Sequence, residues 1–279
     1  MKILIFGGRG FVGSHLSRKL SKNHKVITSD PNEGKKNHRK ADITNQKRVE
    51  NISSDCDLVI NLAGLSPLSE PAKTSYEKVH VGGAESLANL DTTVFQMSAL
   101  GADSSSDISY LKTKGKAEEI IKKSLENYKI FRPSLIFGEG SELFEIINLA
   151  EKFRGFPFIN TKVQPIIIDD LVEIFSLAIE GKVEKDLISL GGPQQMSIFD
   201  MVEKKFKADG YYCFPIPFAE TGAKIISFFD RLNLTGITND QVKFLRQDNV
   251  LENNDAAKFI ELTTIKDYLK KLDSFIETF

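Results

Sequence analysis

The chain has 279 residues, 41% hydrophobic and 27% charged, enough to bury the core of one large domain or of a domain with a smaller lobe. Lys plus Arg (37) and Asp plus Glu (38) nearly cancel, so no global field selects nucleic acid or an anionic membrane, and a small-molecule partner is expected. Two cysteines, Cys56 and Cys213, exclude a disulfide framework and a Cys-x-x-Cys zinc site, and no run stays apolar over about 18 residues, which predicts a cytoplasmic chain without a transmembrane segment.

Lys2-Ile3-Leu4-Ile5-Phe6 reads as a short strand, and it runs into Gly7-Gly8-Arg9-Gly10-Phe11-Val12-Gly13 and then an amphipathic stretch through Leu16 and Leu20. Strand, glycine loop and helix in that order give the glycines a mechanical sense. One permits the tight turn, another lets the backbone approach a pyrophosphate, and a third lets helix pack on sheet. The motif predicts NAD(P) at Gly7, Arg9, Gly10, Phe11, Val12 and Gly13. A second strand, residues 25–29, is closed by Asp30, whose carboxylate would accept from the adenosine ribose hydroxyls and repel a 2′-phosphate. That favours NAD over NADP; Arg9, Lys35 and Lys36 are the cations that would pull the other way. Residues 33–40 read as an exposed loop.

Further apolar runs at Leu58-Val59-Ile60, Val94-Phe95 and Lys129-Ile130-Phe131 alternate with helical patterns over 73–90 and 111–126. Such alternation predicts an α/β fold with a doubly wound, Rossmann-like parallel sheet. After Pro133 the texture changes: helix over 142–153, strand over 164–168, helix from Asp169, strand over 187–190, and helices from Ser197, interrupted by Phe214-Pro215-Ile216-Pro217-Phe218. The expected division is a dinucleotide-binding core, 1–140, and a small C-terminal α+β lobe for substrate or partner, 141–279, with some segments returning to the core. Residues 223–232 carry an apolar stripe, Ile225, Ile226, Phe228, Phe229 and Leu232, that could face a partner or membrane surface; it lacks the basic face of membrane-seeking helices, and core packing or a wall of the substrate pocket is favoured because most such stripes face the core.

A second constellation follows the fourth strand. Ser98 ends it, and Tyr110 and Lys114 lie four apart at the start of a helical pattern, so both side chains point the same way. An ammonium beside a phenol stabilises the phenolate, which a tyrosine needs to exchange protons near neutrality. Among four histidines none has ligand spacing, and no metal is assigned.

Together with Asp42-Ile43, Asn61-Leu62-Ala63-Gly64, Arg132-Pro133-Ser134 and Phe137-Gly138-Glu139-Gly140, these motifs resemble the extended or atypical short-chain dehydrogenases/reductases. Ser98-Ala99-Leu100-Gly101-Ala102, Ser109-Tyr110, Thr113-Lys114-Gly115, Gln164-Pro165, Leu190-Gly191-Gly192-Pro193 and Thr238-Asn239-Asp240-Gln241-Val242 resemble the branch that contains the nucleotide-binding accessory subunit of respiratory complex I. The resemblance implies that Tyr110 is the acid/base, that Lys114 is its electrostatic partner and a ribose ligand, and that Pro133 floors the nicotinamide. It also implies that Asp42 and Ile43 hold the adenine and that Leu62, Ala63 and Gly64 line the cofactor. Ser98 is the candidate for the serine that assists the tyrosine, with Ser104, Ser105 and Ser106 as alternatives. His80 stands where the short form of the family carries an asparagine, and the acidic pair of sugar-nucleotide dehydratases is absent. Two functions are therefore expected of such a chain: an NAD(P)-dependent oxidoreductase or epimerase acting on a hydroxyl/carbonyl pair of an unidentified small molecule, or a non-catalytic nucleotide-binding accessory or assembly protein with a partner at a respiratory complex.

Overall fold

The computed structural model describes residues 1–34, 36–68, 75–216 and 238–276. The chain divides into two compact units, the first made of Met1–Ser66, Ala72–Pro133 and Leu171–Ser189, the second of Pro67–Pro71, Ser134–Asp170 and Leu190–Phe279.

The first unit is built on β1 (Lys2–Phe6), β2 (Lys25–Ser29), β3 (Leu58–Asn61), β4 (Thr93–Met97), β5 (Tyr128–Pro133) and β6 (Leu187–Leu190), ordered β6-β5-β4-β3-β1-β2. The β1–β2, β1–β3, β3–β4 and β4–β5 pairs are parallel. All four residues of β3 and four of five in β1 and β4 are buried, as near-continuous apolar runs must be when helices cover both faces. The expected Rossmann-like sheet is therefore present. Because β2 and β3 flank β1 on opposite sides, the winding reverses there and a crevice opens at the C-terminal ends of β1 and β3.

The helices of this unit are α1 (Phe11–Leu20), α2 (Gln46–Ser53), α3 (Gly82–Leu87) and α4 (Ser109–Ser124). The helix expected over 73–90 falls partly outside the described residues; its described part opens as a π-helical turn, Glu77–Val81, that leads into α3. Leu4, Phe6, Val59, Val94 and Ile130 of the sheet pack with Val49, Ile52, Leu87, Ala117 and Ile121 of the helices. Phe131 stacks on Phe175 at 3.9 Å between ring centroids, so the returning segment Leu171–Ser189 supplies part of this core. Burial of a ring of that size stabilises by about 1.5–3 kcal/mol.

Within the loop expected over 33–40, the described residues 37–40 are more ordered than their composition suggests. Thr28 N–H donates to Asn37 O at 3.0 Å, Arg39 N–H to Thr28 O at 2.9 Å, and Ala41 N–H to Asp30 O at 3.0 Å, so the chain lays a stub of parallel strand along the edge of β2.

The second unit mixes helices with short strand pairs, the expected α+β texture. Ile136–Phe137 pairs with Ile166–Ile167, Lys162–Val163 with Met196–Ser197, and Gly155–Pro157 with Phe214–Ile216. Helix α5 (Glu142–Glu151) precedes them, and α6 (Ile168–Ile179) carries the chain into the returning segment. Helix α7 (Ile198–Ala208) opens on a capping box between Ser197 and Asp200, and α8 (Asn239–Leu245) on one between Thr238 and Gln241. The last helix is α9 (Ile265–Ile276). The apolar stripe of residues 223–232 lies outside the described residues. No described helix is long and apolar enough to cross a membrane.

Candidate functional site

At the end of β1 the chain turns through Gly7 at φ 70°, a conformation that a Cβ disfavours. A Cβ on Gly7 would stand 2.8 Å from Ala63 N, and one on Gly13 would stand 2.1 Å from Gly7 O. These two glycines let the loop, the turn after β3 and α1 pack together. Gly10 is different. A Cβ there would meet only Gly7 O, at 3.3 Å, so the space beside Gly10 is otherwise open. Gly10 is also the N-cap of α1, with no side-chain cap and no acid in the first turn. The first-turn N–H groups at Phe11, Val12 and Gly13 and the positive end of the helix dipole thus bear on that open space.

Asp30 follows β2. Burial raises its pKa, against the opposing charges of His38 and Arg9 and a hydrogen bond from the Arg9 backbone N–H, and its Oδ2 is a buried oxygen without a hydrogen-bond partner. The Arg9 guanidinium donates from Nη1 to the Glu33 carbonyl at 2.7 Å. Asp42 is exposed, and its Oδ1 accepts from Thr44 N at 3.0 Å and Thr44 Oγ1 at 2.9 Å, while Ile43 is buried beneath α3 beside Gly83.

The turn after β3 is held by side chains. Leu62 N–H donates to Phe6 O at 3.0 Å, Ala63 N–H to Asn61 Oδ1 at 3.1 Å, and Leu65 N–H to His80 Nε2 at 3.2 Å. Since Nε2 accepts, the imidazole proton resides on Nδ1, which faces Thr113 Oγ1 at 2.9 Å; the Thr113 hydroxyl then donates to the carbonyls of Ser109 or Tyr110. Burial and the nearby Lys114 charge push the His80 pKa down to about 2, so the ring stays neutral.

Lys114 lies on the buried face of α4, 5% exposed, with Nζ donating to Met97 O at 3.2 Å. No ion pair found among the described residues includes it. Burial, partly offset by Glu118, pushes its pKa down to about 8. A Cβ on Gly64 would stand 3.3 Å from Lys114 Nζ and 3.4 Å from His80 Nε2, so both groups converge on that glycine. One turn earlier on α4, the Tyr110 ring packs edge-on against Tyr76 and His80, each at 5.7 Å, with Lys114 Nζ 5.9 Å from its centroid. Burial, reinforced by Tyr76, holds the Tyr110 phenol well above its ordinary value. The depression expected from a neighbouring ammonium is not what this arrangement produces.

Ser98 is turned elsewhere. Its hydroxyl donates to Glu118 Oε1 at 2.6 Å, inside a network in which Arg132 Nε and Nη2 each reach Glu118 at 2.7 Å and Lys122 at 3.0 Å. Ser104 contacts Glu119, Ser105 Oγ donates to Asp103 Oδ1 at 2.8 Å, and Ser106 Oγ accepts from Ile108 N–H at 3.1 Å. Pro133 is buried at the end of β5, where its carbonyl accepts from Leu100 N–H at 2.9 Å.

The structure thus brings together the glycine loop, the turn Leu62-Ala63-Gly64, His80, Tyr110 and Lys114, and gives Ser98 a partner of its own. Sequence reasoning gave Thr113 and Tyr76 no role and missed the pairing of Glu118 with Arg132. Glu118 did carry a signal, a charge on the face of α4 that also bears Leu111, Lys114 and Ile121, all of them buried.

The profile of the NAD dependent epimerase/dehydratase family matches residues 3–92. The mitochondrial NADH-ubiquinone oxidoreductase 40 kDa subunit of Neurospora crassa is 23% identical over 224 residues, 72% of this chain and 59% of that protein, so the chain spans less than two thirds of this relative's length. UDP-glucuronic acid 4-epimerase from Bacillus cereus, solved with UDP-glucuronic acid and NAD, superposes with a TM-score of 0.70 at 18% identity over 100% of this chain and 99% of its own. The dTDP-4-dehydrorhamnose reductase from Bacillus anthracis, solved with NADP, gives a TM-score of 0.75 at 16% identity over 99% of each chain. The resemblance expected from the motifs is therefore present: the chain has the fold of the extended short-chain dehydrogenases/reductases and, in its first strands and helices, their epimerase/dehydratase sequence pattern.

Proposed function

We propose that the chain binds NAD(P), with NAD favoured, and acts on a hydroxyl/carbonyl pair as an oxidoreductase or epimerase. The observation that carries the reading is Lys114, a nearly buried ammonium with one hydrogen bond and no ion pair among the described residues. Such a group is costly unless a ligand uses it. In this reading the glycine loop takes the pyrophosphate at the space beside Gly10, Asp30 the adenosine ribose, and Asp42 with Ile43 the adenine edge. Leu62, Ala63, Gly64 and Pro133 line the remainder, and Lys114 donates to the nicotinamide ribose. The nicotinamide, when bound, supplies or accepts hydride. Tyr110 gives or takes the proton of the substrate hydroxyl, which requires its phenol to be brought down from its raised value. Ser98 is assigned a supporting part through Glu118, since its hydroxyl proton is already committed there.

A second reading is favoured by one observation. Among the described residues the path from His80 through Thr113 ends on backbone carbonyls, which with the raised Tyr110 phenol suits a nucleotide held as a structural ligand in an accessory protein of a respiratory complex; the N. crassa relative is named a subunit of NADH-ubiquinone oxidoreductase. The two are separated by incubating the protein with deuterated NADH or NADPH and a panel of ketone, sugar-nucleotide and quinone-like substrates. Isotope transfer that falls by about 10²- to 10⁴-fold in Tyr110→Phe, with nucleotide affinity kept, supports the enzyme. Absence of transfer across the panel, with NADH still bound and Tyr110→Phe unchanged, leaves the accessory protein.

A further inference from the structure

The amine of Lys114 has a side of approach that its partners leave open. Its side chain is nearly buried, Nζ makes one hydrogen bond, to Met97 O at 3.2 Å, and no ion pair among the described residues includes it. The residue beside it is Gly64, itself exposed, where a Cβ would stand 3.3 Å from Nζ. The atom that would close the way from solvent to the amine is therefore the one that glycine lacks. His80 Nε2 lies 3.4 Å from the same point, but it already accepts from Leu65 N–H, so it neither pairs with the ammonium nor takes its proton.

Such surroundings favour the uncharged amine, which is a nucleophile. With the pKa pushed down to about 8, about a quarter of the amines are free at pH 7.5, against about one in a thousand at the ordinary 10.5. A less basic amine attacks more slowly, which by analogy with thiols takes back about tenfold, and the narrow approach takes back more. An advantage of about five- to tenfold over an ordinary exposed lysine remains. The turn that carries Gly64 also adjoins the glycine loop, since a Cβ on Gly7 would stand 2.8 Å from Ala63 N, and the uncapped first turn of α1 there attracts anions. An electrophile that carries a phosphate is the class drawn towards this amine.

We propose that Lys114 is a site of covalent acylation in the nucleotide-free protein, reached through the gap at Gly64 by small acyl phosphates. The amine lone pair forms an N–C bond to the acyl carbon, and the bond from that carbon to the phosphate oxygen breaks. Inorganic phosphate leaves with the electron pair, and the amine proton passes to solvent. The product is a neutral amide, which no longer offers a cation to a ribose, so acylation of the empty site closes it to nucleotide and a bound nucleotide protects it. That protection rests on the nucleotide reading above, whereas the reactivity of the amine does not.

The native chain is incubated with acetyl phosphate between pH 6.5 and 9.5, with and without saturating NADH, and acetylation at each lysine is followed by peptide mass spectrometry. Lys112, exposed on the same helix, is the internal reference. Lys114 should be acetylated about five- to tenfold faster than Lys112 at pH 7.5, at a rate that levels off above about pH 8 to 9. NADH should slow it about tenfold, and chains acetylated at Lys114 should no longer bind NADH in calorimetry. Gly64→Ala should slow it about tenfold by filling the gap, with the unfolding midpoint kept as the sign of an intact fold. Acetylation of Lys114 no faster than that of Lys112, a rate still climbing at pH 9.5, or a folded Gly64→Ala chain acetylated as fast as the native one would overturn the proposal. If NADH binds and Lys114 is not acetylated, this inference falls alone. If Lys114 is acetylated as expected and NADH neither binds nor protects, the nucleotide reading falls and the acylation site stands, while NADH that binds without protecting sinks the claimed protection.

Discussion

Replacing Lys114 with methionine should make the protein more stable and abolish the nucleotide binding proposed above. The folded chain holds this ammonium at a pKa of about 8, against an ordinary 10.5. Below about pH 8 both folded and unfolded chains carry the proton, and the full cost of burying the charge applies. Between about pH 8 and 10.5 only the unfolded chain carries it, so the unfolded state binds more protons and the stability of the folded state rises with pH. Above that window both are neutral and the cost is gone. At 1.36 kcal/mol per pH unit the difference amounts to on the order of 3 kcal/mol. Methionine removes the charge at similar length, and it forfeits the hydrogen bond to Met97 O, worth about 1 kcal/mol. That carbonyl keeps Gln96 Nε2 at 3.0 Å, so no acceptor is orphaned. The net expectation at pH 7 is a gain of on the order of 2 kcal/mol. Urea unfolding of native and Lys114→Met chains from pH 6 to pH 11 should show two curves that approach one another through the window and cross near its upper end, while NADH titration shows binding lost. A less stable Lys114→Met at pH 7, or a gap that does not change with pH, would refute the argument that this lysine is retained for a ligand at the expense of stability.

Gly10→Val should leave the unfolding midpoint nearly unchanged, because little protein faces that Cβ, yet abolish NADH binding; native affinity in calorimetry would mean the loop has been misread. Gly115→Ala should behave in the reverse way. A Cβ there would stand 2.2 Å from Ser104 N, so about 1–3 kcal/mol of stability should be lost in urea unfolding, and a neutral result would show that residues 103–104 can move away from α4. Glu118→Ala leaves Arg132, Lys122 and Ser98 without their acceptor and should cost about 3–5 kcal/mol, whereas Glu118→Leu combined with Arg132→Met should recover most of it; additive losses in that double-mutant cycle would deny the coupling.

What could be read from the sequence was whatever depends on neighbours along the chain. β1, the glycine loop and α1 are contiguous, and their periodicities and glycine positions state the local geometry directly. The stub along β2 reads as a loop because its lysines look solvated; its order comes from backbone hydrogen bonds that no side-chain pattern records. Ser98 was placed by its position after β4, but its hydroxyl is directed by Glu118, 20 residues further on, and only the packing of α4 against β5 reveals that. Tyr110 and Lys114 share a face as the one-turn spacing requires. Whether the ammonium lowers the phenol is a matter of solvation and of Tyr76, which spacing along a helix does not encode.

The return of Leu171–Ser189 to the first unit has a consequence for biosynthesis. Until that stretch has been made, β5 is an open sheet edge and Phe131 lacks the ring of Phe175. A ribosome adding about 5–20 residues per second needs roughly 3 to 10 seconds to pass from Pro133 to Leu187, and through that interval the nascent first unit exposes an apolar, unpaired strand to other chains. The stretch Ser134–Asp170 of the second unit is thus an insertion that delays closure of the first. An expression fragment cut near residue 140 would carry the whole glycine loop and both Tyr110 and Lys114, and it would still aggregate.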